Sequence, residues 1–115
     1  MTIGRAIIAA RKRIGMSQKD LAASVVKEDG VSISAPYLND IEHDRRNPPS
    51  PHLLREFARV LGLSYEYLLF LSGELPDDVR RDTDDISPED VEAAFQSFRR
   101  TLRERSDPEL SSGDT

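Results

Sequence analysis

Cysteine and tryptophan are both absent from the 115-residue chain, and only seven residues are aromatic, three Tyr and four Phe. Without cysteine there are no disulfides and no zinc sites built on thiolates. Two histidines, His43 and His52, have no acidic or cysteine partners at metal-ligand spacing, so no metal site is expected. No apolar run approaches the roughly 20 residues that a membrane span needs, and the N-terminus has no apolar signal region. A phosphate loop and a nucleophile–base pair are also missing, so neither a cofactor nor an enzymatic activity is expected. The chain reads as a soluble, cytoplasmic protein with no internal repeat and no alternating strand pattern.

Positive charge is also scarce. The formal net charge is −5, which on its face opposes a partner made of phosphates. The distribution of charge points the other way. Residues 1–72 carry ten Lys/Arg and eight Asp/Glu, net +2, whereas residues 73–115 carry six and thirteen, net −7. The acidity therefore belongs to the C-terminal third. The first part is only weakly basic, so binding a polyanion has to rely on locally placed cations and on pairing two copies.

What is present is helical punctuation. Ile3, Ile7, Ala10 and Ile14 recur at the period of an amphipathic helix, with Thr2 as cap and Gly15 as stop. Ser17 caps a second helix that turns Leu21, Ala22 and Val25 inward. A polar break, Lys27 to Gly30, leads to the stretch that organises the rest, Ser34 to His43. Ser34 caps it, Pro36 suits its first turn, and Leu38 and Ile41 mark its buried side. The outward face then holds Ala35, Pro36, Asn39, Asp40 and His43. Asp44-Arg45-Arg46-Asn47-Pro48-Pro49 follows, a turn with two cations that no core requires. A buried stripe, a polar face of small residues and a basic exit turn describe a helix lying in the major groove of DNA. Leu53, Leu54, Phe57, Ala58 and Leu61 form a fourth helix ended by Gly62, and Ser64 caps a fifth holding Tyr67, Leu68 and Leu71.

From Glu74 to Ile86 the composition shifts to five aspartates and a proline, which reads as an acidic linker over 74–86. Ser87-Pro88-Glu89-Asp90 then starts a C-terminal amphipathic helix over 87–105, with Val91, Phe95, Phe98 and Leu102 on one face. Residues 106–115 read as a disordered tail.

The run from Ser17 to Leu71 resembles the Cro/C1-type (XRE, lambda-repressor-like) helix-turn-helix family. It does so through Ser17-Gln18-Lys19-Asp20-Leu21-Ala22, Ser34-Ala35-Pro36-Tyr37-Leu38-Asn39-Asp40-Ile41-Glu42, Arg46 with Pro48, and Val60-Leu61-Gly62-Leu63. The resemblance implies an all-α fold: a five-helix DNA-binding domain over 1–73, followed here by the acidic linker and the C-terminal helix. It also implies a nucleoid-associated regulator of transcription, most readily a repressor on a near-palindromic operator. The sequence departs from the family pattern in three places. VKEDGV lengthens the connection between the two motif helices, Asp44 stands where the family usually has glycine, and Asp40 occupies a position that often reads bases. Aspartate enters left-handed backbone more readily than most residues, so the turn is expected to survive.

Each residue has an expected role. Gln18 resembles the family glutamine that bonds a phosphate from a helix start, with Lys19 assisting. Asn39 suits adenine, Ala35 and Pro36 suit thymine methyls, and Asp40, able only to accept, suits cytosine N4. Arg45, Arg46 and Asn47 suit phosphates. Tyr37 fits either a phosphate contact through its hydroxyl or the core. By the resemblance, Arg11 and Glu42 form a structural ion pair. The Val91, Phe95, Phe98 and Leu102 stripe has three possible uses: dimerisation, which is preferred, docking on its own domain, or receiving a regulatory protein that cleaves or sequesters the C-terminal region. The competing function is a protein-interaction module, an antitoxin or adaptor, with a partly repurposed helix-turn-helix.

Overall fold

A serine or threonine marks the start of every helix in the N-terminal region. Thr2, Ser17, Ser34, Ser50 and Ser64 sit in extended backbone, and each accepts a hydrogen bond from the N–H three residues on, satisfying a donor that the helix itself leaves unpaired. The computed structural model describes residues 1–82 and 85–106. In it these caps open α1 (Ile3–Arg13), α2 (Gln18–Ser24), α3 (Ala35–Glu42), α4 (Pro51–Leu61) and α5 (Tyr65–Leu71). Pro36 and Pro51 stand in the first turns of α3 and α4, where a missing N–H costs nothing.

Helices α1 and α2 both pack on α3, and α4 packs on α5 and α1. Between them Ile7, Leu21, Val25, Leu38, Leu54, Phe57, Leu61 and Leu68 are at most 2% exposed. Each buried side chain of this size contributes about 1.5–3 kcal/mol relative to exposure, which is what holds five short helices in fixed mutual orientation. Two details differ from the expected packing. Ile14 is 45% exposed because α1 has already ended, and α5 buries Leu69 beside Leu68 while Tyr67 faces solvent.

The α1–α3 crossing is closer than side chains allow. A Cβ at Gly4 would run into the carbonyl oxygens of Glu42 and Ile41, so the two backbones touch where only glycine fits. Asp44 reinforces the crossing. Its carboxylate accepts from Thr2 Oγ1 at 2.6 Å and from the Gly4 N–H at 3.0 Å, tying the exit of α3 to the start of α1.

The long connection between α2 and α3 is a miniature hairpin. Lys27 N–H donates to the Val31 carbonyl at 2.8 Å and Ile33 N–H to the Val25 carbonyl at 2.9 Å, around an isolated antiparallel bridge between Val26 and Ser32. Helix α4 holds it at its base. Val26 N–H donates to Glu56 Oε1 at 3.0 Å, His52 Nε2 donates to the Val26 carbonyl at 2.8 Å, and Arg59 reaches the Ser24 carbonyl at 3.2 Å. Hydrogen bonds from Arg59 and then from Val26 N–H hold the Glu56 carboxyl below its usual 4.5. His52 is thus employed in the architecture.

The chain divides into two units, the first ending at Pro76. In the second, residues 77–82 within the acidic stretch read as linker form a short helix, α6 (Asp77–Asp82), with Asp77 and Asp78 in its first turn, where carboxylates favour the helix dipole. Helix α7 (Pro88–Ser106) follows, shifted by one residue from the expected 87–105, with Glu89 and Asp90 in its first turn and Arg103 and Arg105 in its last. None of its side chains is buried, and Phe95 and Leu102 are 43% and 47% exposed. Residues 83–84 of the linker and 107–115 of the expected tail lie outside the described residues. The described residues form seven helices, and none of them is long and apolar enough to cross a membrane.

Candidate nucleic-acid interface

Helix α3 carries its two faces as its sequence dictates. Leu38 and Ile41 enter the core, with Glu42 beside them at 2% exposure. A carboxylate so deeply buried has to be paired, and it is. Arg11 Nε donates to Glu42 Oε2 at 2.7 Å and its Nη2 to Oε1 at 3.1 Å, while Nη1 reaches the Met16 carbonyl at 3.0 Å. Gln18 completes the network, its Nε2 donating to Glu42 Oε1 at 2.8 Å and to Asn39 Oδ1 at 3.1 Å. No side-chain N or O buried among the described residues lacks a partner. Both amide hydrogens of Gln18 are therefore committed inside the protein, and a phosphate bond from that nitrogen would have to break one of them. Asn39 is half-buried with its carbonyl oxygen engaged by Gln18, which leaves the amide nitrogen as its outward donor.

Pro36 and His43 are exposed, Ala35 and Asp40 are half-exposed, and Lys19 is exposed in the first turn of α2. Helix α3 ends on His43, and Asp44 has φ 56°. The left-handed residue lets Asp44 N–H bond the Ile41 carbonyl at 3.1 Å and Arg45 N–H the Asp40 carbonyl at 2.9 Å, the paired closure that glycine usually provides. Aspartate therefore does the work of the expected glycine. The turn folds Arg45 and Arg46 back along α3, where Arg45 Nη1 meets Asp40 Oδ1 at 3.1 Å and Arg46 Nε meets Asp40 Oδ2 at 3.3 Å. These bonds, Arg45 first, hold the Asp40 carboxyl below its usual 3.8.

Tyr37 is partly buried against the core and lies under the Arg46 guanidinium, 4.9 Å from ring centroid to Cζ. Its ring thus packs inward while also seating a cation. Tyr37, Arg45, Arg46 and Asn47, with the Pro48–Ser50 run, line an open cleft of about 520 Å³. Pro49 is buried and anchors the far side.

Two short helices, α2 and α3, thus pack together with the second showing a polar face and a basic exit. A helix-turn-helix family model matches residues 7–68, more than half of the chain. The chain belongs to the Cro/C1-type helix-turn-helix family. Members of this helix-turn-helix family are DNA-binding regulators of transcription, and this chain is one of them. Among solved structures it is similar to a chain of the SinR protein/SinI protein complex, 27% identical, with 87% of this chain and 99% of that chain covered and a TM-score of 0.51. A comparison with curated proteins finds no match.

Three features of this helix-turn-helix are not foreseen by the sequence reading. Gly4 escapes it because its partner, the Glu42 carbonyl, is remote in the chain. The clamp of His52, Glu56 and Arg59 on the hairpin carries no local signal. The pairing of Asp40 with both arginines has one available cue, a carboxylate five and six residues before two cations across a turn. The stripe residues Val91, Phe95, Phe98 and Leu102 lie on α7 in the second unit, Val91 half-exposed and the others exposed. No group of three or more metal-ligating side chains occurs among the described residues.

Proposed function

We propose that the protein is a repressor that acts in the cytoplasm, at the nucleoid, and binds a near-palindromic DNA operator as a homodimer. Helix α3 enters the major groove while α2 lies across the backbone. Asn39 offers its amide nitrogen to a base acceptor, and Ala35 and Pro36 meet thymine methyls. Arg45, Arg46 and Asn47 hold phosphates from the exit turn, with Lys19 on the neighbouring strand of the groove and Tyr37 seating Arg46. Gln18 serves mainly to fix Asn39. The observation that carries this reading is the exposed face of α3 bordered by two guanidinium groups, in a domain whose remaining net charge is small.

A dimer follows from α7. Most helical stability in proteins comes from packing an amphipathic face, and the stripe of Val91, Phe95, Phe98 and Leu102, on a helix with no buried side chain, suits burial against its twin. Pairing doubles the modest basic charge and sets two α3 helices about one DNA turn apart. A regulatory protein that engages α7 in place of the twin is the second use of the same face. The name of the similar structure, a complex of two proteins, favours including it. No enzymatic role is proposed.

Selection of preferred duplexes from a random pool tests this reading. Two half-sites about one turn apart support the dimer, and a single unpaired site removes it. Arg46→Ala weakens binding to the selected sites and lowers the salt slope there by about one, whereas Asn39→Ala relaxes preference at one base position. Absence of salt-dependent binding to any duplex rejects the DNA reading and leaves the protein-interaction module.

A further inference from the structure

The geometry points to Asp40 as a specificity latch. It holds Arg45 and Arg46 beside α3, and it releases them to phosphate at low cost only where a base amino group of the cytosine N4 kind takes over its carboxylate. This inference rests on the DNA-reading function proposed above and deepens it.

Backbone geometry makes the latch possible. With Asp44 in left-handed conformation, the chain doubles back so that the side chains five and six positions after Asp40 lie alongside it, one on each carboxylate oxygen. Both oxygens of the outward carboxylate are then in use. The cluster of Asp40, Arg45 and Arg46 presents two cations and one anion, a local charge of +1 rather than +2.

The bonds are suited to exchange. At 3.1 and 3.3 Å, with the arginine side chains 56% and 53% exposed, they are longer than the roughly 2.7–2.9 Å of strong charge-assisted pairs. Water and salt compete with them freely. Arg46 also rests on Tyr37, so it remains seated near the groove wall after leaving Asp40.

Consider a duplex without the matching base. Moving one arginine to a phosphate leaves an Asp40 oxygen without its donor, and moving both leaves a bare carboxylate facing the polyanion, so the gain from the phosphate contacts is offset by repulsion. At a site that places a cytosine N4 amino group opposite Asp40, the one amino hydrogen not used in base pairing bonds a carboxylate oxygen, so the carboxylate keeps a donor as an arginine leaves. One residue thus rewards the right base and penalises the others, the two halves of discrimination. Asp40 reads a base and also controls the two cations that would otherwise bind any sequence.

The test compares wild type with Asp40→Asn in the full chain, after confirming that both unfold cooperatively at temperatures above that of the binding assay. Removing the latch is expected to tighten binding to random-sequence duplex about tenfold at low salt and to steepen the salt slope by about one. The preferred base at one position of the selected sites should be lost as well. Arg45→Ala/Arg46→Ala in the Asp40→Asn background should abolish the gain. Equal or weaker binding of Asp40→Asn to random duplex overturns the latch, and so does a gain that survives removal of both arginines. Retention on heparin separates the two claims. If no variant binds duplex, the DNA reading is what fails, and a later salt elution of Asp40→Asn from heparin still reports the restraint on the arginines, whereas unchanged elution overturns it.

Discussion

Helix α3 carries two carboxylates that pair with arginine, and they behave as opposites. Glu42 is 2% exposed, bonds Arg11 at 2.7 Å and shares its second oxygen with Gln18. Asp40, two residues earlier and on the outer face, bonds Arg45 and Arg46 at 3.1 and 3.3 Å in solvent. The same chemistry gives architecture in one place and an exchangeable contact in the other, because burial sets what each bond competes with. Glu42 has no water to return to, so its partners are obligatory. Asp40 gives up a partner to water or to another ligand at small cost. A recognition helix needs both: a rigid inner face so that its outer face is aimed, and an outer face whose bonds can be traded.

The largest expected effect comes from breaking the inner pair. Glu42→Ala leaves the Arg11 guanidinium, whose side chain is only 13% exposed, without a counter-ion, and frees a Gln18 donor. Removing one partner of a buried pair costs about 3–5 kcal/mol, a large share of the stability of a domain this size. Urea denaturation of full-length protein measures it. A loss below about 1 kcal/mol would place Glu42 among ordinary surface pairs and erase the contrast.

An intermediate effect is expected at Asp44, which is exposed yet tied to α1 through Thr2 and Gly4. Asp44→Ala removes two hydrogen bonds and places a residue with no local compensation in left-handed backbone, together about 1–2 kcal/mol. Asp44→Gly restores the backbone freedom but not the bonds, so it should recover part of that loss in the same denaturation experiment. If the alanine and glycine variants are equally destabilised, the strain of the turn contributes nothing. If glycine matches wild type, the tie to α1 contributes nothing.

How much of this was legible follows from range. The caps at Thr2, Ser17, Ser34, Ser50 and Ser64 are bonds over three residues, and the four of them that the sequence reading names were readable from their own neighbourhoods. The buried faces of α3 and α4 were readable for the same reason, since periodicity is local. Arg11 with Glu42 was accessible only through family resemblance, because nothing near either residue names the other across 31 positions. Gly4 was beyond reach: its requirement arises from a backbone contact with α3 that exists only after folding. The outer face was half legible. Asn39, Arg45 and Arg46 were identified as a polar front and a basic exit, but their state was not. The left-handed turn at Asp44 brings Asp40, Arg45 and Arg46 into one bonded group, and the Gln18 amide expected at a phosphate is turned inward to Glu42 and Asn39. In the second unit the aspartates of 74–86 suggested a linker by composition, yet acids at a helix start favour the helix, and α6 forms there.

The smallest expected effect is the pH dependence of the outer cluster, and its sign is fixed. The Asp40 carboxyl is held below its usual 3.8 by the hydrogen bonds of Arg45 and Arg46. A group whose folded value is lowered contributes stability that is present above the unfolded value and is lost as pH falls through the folded one. From about pH 5 to 8 Asp40 stays ionised in both states, so wild type and Asp40→Asn should unfold at a constant offset throughout that range. Their midpoints should converge only as acid approaches and passes 3.8, where wild type loses what the variant never had. Thermal unfolding of both proteins across that range gives the comparison. Divergence near neutral pH would mean that Asp40 titrates there, which two adjoining guanidinium groups oppose. Any change in DNA affinity between about pH 5 and 8 must then come from groups other than this carboxylate, because its charge and its hold on the arginines are constant while the inner pair keeps α3 in place.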